Sequence, residues 1–158
     1  MIVTLERLID SLRNELQQYG EMLALLDHQQ ELVRQQGADE ILHSISAIDL
    51  QSNAIQAARA SRQLAQRELS GDLQQPLDST FAHLMPLILE QYRPLVTALV
   101  QENNELLQRV RDRAQQNHHL LRHSMQLMQR FITTLSPQDA PPAALAVEPG
   151  SPLYQAIA

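Results

Sequence analysis

Apolar residues recur at steps of three and four along the first helix-length of chain: Leu5, Leu8, Leu12, Leu16, Tyr19, Leu23, Leu26 and Val33, with polar Gln30 in the one gap. Residues three and four apart share one face of a helix, so these side chains form a single stripe on an otherwise polar segment. One helix cannot bury such a stripe alone. The pattern therefore predicts a helix from about Thr4 to Gln36 that packs on others. At about 1.5 Å per residue it is a rod of roughly 50 Å. Gly20 interrupts it at a cost of about 1 kcal/mol, which good packing absorbs. Gly37 reads as the C-terminal stop and Asp39 as the next N-cap.

A second helix is predicted from Glu40 to Leu69, with Ile41, Ile45, Ile48, Ile55, Ala58, Ala65 and Leu69 as its stripe. Its later half shrinks to alanine at Ala54, Ala57, Ala58, Ala60 and Ala65, room for a third helix to approach closely. The short loop between the two helices predicts an antiparallel hairpin. Ser70-Gly71-Asp72 ends the second helix, and Pro76, Pro86 and Pro94 break up the stretch between it and the next long helix. A short helix is expected from Ser79 to Leu84, with a kink or restart near Pro86 or Pro94. Proline suits a first helical turn, so Pro94 can open the third helix, which runs to Leu135.

The seam of that third helix is Leu99, Asn103, Leu106, Val110, Ala114, Asn117, Leu121, Ser124, Met128, Phe131 and Leu135. Its three-four-four step relaxes supercoiling and predicts a nearly straight bundle. Asn103 and Asn117 sit on the seam, where a buried amide fixes helix register at a cost in stability. Leu120, Met125, Leu127 and Ile132 lie beside it, so this helix is apolar over more than one face. The predicted fold is all-α: an antiparallel helical hairpin plus a long third helix, forming an elongated three-helix bundle over residues 1–135. Five of the eight prolines fall after that point, so residues 136–158 read as a disordered, flexible tail with an apolar tip at Leu153-Tyr154-Gln155-Ala156-Ile157.

Composition narrows the function. The net charge is −6 and aromatics are 3%, which argues against nucleic acid as a partner. There is no Cys, hence no disulfide framework, thiolate metal site or Cys nucleophile. No apolar run reaches the roughly 20 residues of a membrane span. The first residues lack the basic and apolar blocks of a signal peptide, so a cytoplasmic location is expected. Every basic side chain is Arg and Gln is abundant; both suit solvated helix faces.

Candidate chemistry is sparse. His119 and His123 share a helix face at ligand spacing, but no third ligand has a place. Glu40 and His43 have the Glu-x-x-His spacing of di-iron bundles, without the second copy those need. A phosphotransfer domain usually places a Lys soon after its histidine, and this chain has none. Four glycines build no phosphate loop. No cofactor, metal or enzymatic activity is expected.

The order of these parts resembles the FlgN family of flagellar export chaperones. The resemblance rests on the leucine-spaced opening (Leu5, Leu8, Leu12), the proline-marked stretch before a long third helix, and the tail with its lone Tyr154. It rests also on Asn103-Asn104-Glu105-Leu106-Leu107, similar to the family's Asn-x-x-Asn-x-x-Leu segment in compressed form. The resemblance implies a cytosolic, non-enzymatic protein that binds the hook-filament junction proteins FlgK and FlgL, holds them unassembled and delivers them to the export gate component FlhA. It implies cargo capture by Leu120, Leu121, Met125, Met128, Phe131 and Ile132, and gate docking by Tyr154 with Leu153. Asn103, Asn104 and Leu107 carry the family motif. One departure stands out: the family's tail tyrosine is commonly followed by glycine, and here Gln155-Ala156-Ile157-Ala158 ends the chain. The alternative reading is a structural coiled-coil adaptor that self-associates through the same stripe, in its weakest form a homodimer.

Overall fold

The computed structural model describes residues 1–135. Three long helices dominate: α1 (Ile2–Gln35), α2 (Ala38–Asp72) and α4 (Arg93–Leu135). Between the last two lie the four-residue α3 (Phe81–Leu84) and 3-10 turns at Met85–Leu87 and Glu90–Tyr92. The described chain is all-α.

The prolines act as the sequence suggested. Pro86 sits inside the first 3-10 turn, and Pro94 is the second residue of α4, where a missing N–H costs nothing. The turn between α1 and α2 differs from expectation in one detail. Gln36, not Gly37, takes the left-handed conformation (φ 57°), and its N–H and that of Gly37 close onto the carbonyls of Val33 and Leu32. Gly37 instead caps α2, accepting from the Ile41 N–H at 2.9 Å. Asp39 is therefore no N-cap. With Glu40 it lies in the first turn, where negative charge suits the positive end of the helix dipole.

Polar contacts define the packing directions. Thr4 Oγ1 donates to Asp72 Oδ2 (2.7 Å), Arg7 pairs with Glu68, and Gln29 Nε2 donates to Ser44 Oγ (3.0 Å), so α2 runs antiparallel to α1. Asn103 Nδ2 donates to the Leu12 carbonyl (3.0 Å) and Asn117 Nδ2 to the Leu26 carbonyl (2.7 Å), so α4 runs parallel to α1. α1 is the middle helix: α2 and α4 both pack along it, with hardly any close approach between the two. The expectation that a third helix would nestle against the alanines of α2 is thus corrected. Ala58 and Ala65 face inward, while Ala57 and Ala60 face water. The seam of α4 is taken up by α1.

A middle helix must bury more than one stripe. Beside the leucines of the seam, Ile9, Met22, Glu15, Gln29 and Gln30 are buried, while Leu16, Leu23 and Val33 are only half-buried. One core cluster lies at the base, where Leu5, Leu8, Leu12 and Leu69 meet Phe81 and Val96. The other lies midway, built on Tyr19, Met22, Leu26, Ile55, Leu107 and Val110. The connecting segment inserts Phe81, Leu84 and Ile88 from below and closes the base.

Candidate functional site

The two asparagine bonds lie two heptads apart on both helices, so each residue of α4 is level with a fixed residue of α1. On that offset, Gln126 is level with Gln35, the last residue of α1. From Leu127 to Leu135, about nine residues, α4 runs past the α1–α2 turn by roughly 14 Å.

The stripe that packs on α1 does not stop where α1 stops. Asn117, Leu121, Met128 and Leu135 continue one face of α4, and beyond the turn nothing in the described chain covers it. Phe131 is 62% exposed and Met128 58%. Ile132 lies at the margin of exposure, and Leu120, Leu121 and Met125 are half-buried nearer the turn. The six residues thus lie along the last turns of one helix, three at the open end and three at its root. Leu127 and Leu135 belong to the same exposed surface. The extension of the heptad seam to Leu135 was the signal for the latter.

Charge sets this end apart. The chain is net acidic, yet α4 has no carboxylate after Asp112. Arg122 and Arg130 are exposed there, and neither pairs with an acid among the described residues. The open end is an apolar stripe flanked by positive charge.

The Asn103-Asn104-Leu107 segment does not form one surface. Asn103 is fully buried, and Leu107 packs in the middle core cluster. Asn104 instead lines a groove of about 430 Å³ with Phe81, Met85 and Val100. Asn103 and Asn117 each leave a buried Oδ1 without a partner. Such an atom costs about 1–3 kcal/mol, so these amides are held at some expense.

Sequence reasoning missed a buried charged cluster. Arg62 Nε meets Glu15 Oε2 at 2.9 Å with side chains 3% and 0% exposed. Tyr19 Oη donates to Glu15 Oε1 at 2.8 Å. Burial first, then the adjacent Glu15 carboxylate, pushes the Tyr19 phenol well above its ordinary range. A hint existed in the spacing: Glu15 and Tyr19 are four apart, and Tyr19 lies on the seam. At the base, the Thr4 hydroxyl and then the terminal ammonium hold the Asp72 carboxyl below its ordinary value.

Among the described residues, no three of His, Asp and Glu converge as a metal site, and no helix is long and apolar enough to cross a membrane. His119 and His123 are exposed, and His43 Nδ1 lies 2.7 Å from the Asp39 carbonyl. Leu153 and Tyr154 lie outside the described residues.

No curated protein and no solved structure gives a significant match to the chain. Residues 1–144 match the family described as FlgN protein. That span takes in every described helix, including the open end of α4. The chain therefore belongs to the FlgN family, which is associated in general with a flagellar export chaperone role.

Proposed function

We propose that this protein is a cytoplasmic, non-enzymatic chaperone of the flagellar type III export pathway. In this reading the open end of α4 captures the coiled-coil-forming ends of the junction proteins FlgK and FlgL and keeps them unassembled. Leu153 and Tyr154 then present the loaded complex to FlhA at the export gate. Family membership supports the general role. The observation that carries the specific reading is the apolar stripe of α4 that outruns its partner helix, with Met128, Phe131 and Leu135 in water.

The physics of capture is that of helix pairing. A client helix with apolar residues at steps of three and four can take the place beside α4 that α1 leaves vacant. Met125 and Met128 adapt to more than one client shape. Full burial of an apolar side chain contributes about 1.5–3 kcal/mol. A handful of such side chains is set against an association cost of about 4–15 kcal/mol. The balance is a moderate, releasable affinity, which suits a client that must be handed on.

The test is binding of C-terminal segments of FlgK- and FlgL-like proteins to the full chain by calorimetry. Met128→Asp/Phe131→Asp should weaken binding at least about tenfold with helicity unchanged, because two charges are forced into an apolar contact. Wild-type affinity in that variant, with the fold intact, would refute the assigned surface. The alternative of a self-associating adaptor draws on the outward Leu42, Leu50 and Leu64 of α2 as well as α4. A tight oligomer in sedimentation, unchanged by dilution and by client, would favour it.

A further inference from the structure

We propose that the apolar tip of the C-terminal segment, Leu153, Tyr154 and Ile157, docks in cis on the open end of α4 and occupies the client's seat until a client displaces it. This rests on the reading of that end as the client surface and adds its regulation.

Three observations select this occupant. The first is reach. About 17 residues, five of them proline, separate Leu135 from Leu153, a length that extends to at most roughly 50 Å and exceeds the span of the exposed stripe. The exposed stripe begins where that segment begins and extends back about 14 Å along α4. The tether is thus long enough to turn back and set the tip on the stripe, where the link to Leu135 gives it an effective concentration on the order of millimolar. Even a contact too weak to detect between separate molecules is populated under those conditions.

Charge is the second. The end of α4 carries Arg122 and Arg130 and no carboxylate after Asp112. The segment from Ser136 to Ala158 carries Asp139 and Glu148 and no basic residue. The two are opposite in sign. The third is side-chain chemistry. Leu153, Tyr154 and Ile157 offer the bulk that a client helix would bring to Met128, Phe131 and Leu135.

Competition gives the contact a consequence. While α4 is empty, the residues assigned to gate docking are engaged on α4. A client that takes the stripe releases them, so an empty chaperone is a poor gate ligand and a loaded one a good one. Because the tip and the client exclude one another, the tip lowers client affinity by the factor by which it fills the seat.

The experiment compares the full chain with its Leu153→Asp/Tyr154→Asp variant, which leaves α1 to α4 untouched. Hydrogen exchange of residues 124–135 is followed without client, and client affinity is measured in parallel. The amides of that stretch should exchange several-fold faster in the variant, and client affinity should rise about two- to tenfold. Equal exchange in both proteins overturns the proposal, whatever the client does. Protection that vanishes on dilution also overturns it, because the occupant is then a second copy. So does a change in exchange with unchanged client affinity, if Met128→Asp/Phe131→Asp abolishes client binding. If that last variant binds client normally while the exchange difference persists, the docking stands and the assignment of the client surface falls.

Discussion

Replacing Arg62 by methionine should be among the most damaging single changes in the protein. Arg62 and Glu15 are 3% and 0% exposed, so water cannot screen either charge. The methionine keeps the aliphatic stem but strips the guanidinium from Glu15 Oε2, leaving the Tyr19 hydroxyl on Oε1 at 2.8 Å and Arg59 as the remaining positive charge near Tyr19. Arg62 also ties the base together: its Nη1 donates to Gln66 Oε1 at 3.1 Å, and Gln66 Nε2 donates to the Ser79 carbonyl at 2.8 Å. Its guanidinium lies 5.9 Å from the centroid of the Phe81 ring. Breaking a buried pair by removing one partner costs about 3–5 kcal/mol, a large share of a typical 5–15 kcal/mol stability. With a urea slope near 2 kcal/mol/M, the unfolding midpoint should fall by roughly 2 M. The pair itself is a different quantity. Desolvation offsets most of its Coulomb gain, so Glu15→Leu/Arg62→Met should return to within about 1–2 kcal/mol of wild type. Urea titrations followed by circular dichroism measure both. If Arg62→Met alone costs under about 1 kcal/mol, the charge is not desolvated in solution and the reasoning fails.

Two further outcomes test other parts of the fold. Asn103→Leu/Asn117→Leu gives up four amide bonds worth about 1 kcal/mol each, to the carbonyls of Leu12, Leu99 and Leu26 and to Gln29 Oε1. It also removes two unpaired buried oxygens that cost about 1–3 kcal/mol each, so the two sides largely cancel and stability should change by less than about 2 kcal/mol. Register should suffer instead: spin labels at Gln35 and Gln126 should report one distance in the parent and a broadened distribution in the variant. A single sharp distance in the variant would show that leucine packing alone sets the offset. Tyr19, its phenol raised by burial and by Glu15, loses its proton in the folded state only well above its unfolded value near 10. Its contribution is complete below pH 10 and is lost as pH rises past it, because the unfolded chain releases its proton first. Stability should therefore fall from pH 10 upward, and Tyr19→Phe should flatten that fall; an identical slope in both proteins would exclude Tyr19 as its source.

Much of the fold was legible because the signals are local. Leu5, Leu8 and Leu12 mark a helix face whatever lies opposite, and Pro86 and Pro94 interrupt helices through their own backbone chemistry. Met128 and Phe131 could be read as apolar positions on α4, but their exposure could not. The Glu15–Arg62 pair was hidden because a carboxylate beside a seam has the same one-dimensional signature whether it meets water or an arginine 47 positions away.

The sequence by itself determined that the chain makes long helices, roughly where they stop, and that the last is apolar beyond the needs of a single contact. Periodicity reports angle about a helix axis, and angle is a local property. Tertiary structure alone decided that α1 sits between α2 and α4, that Ala57 and Ala60 face outward, and that α4 slides far enough along α1 to leave Met128, Phe131 and Leu135 exposed among the described residues. Those facts depend on axial offset between helices. That offset is set by long-range contacts such as Asn103 to Leu12 and Asn117 to Leu26, each closing a loop of 91 residues that no local pattern records.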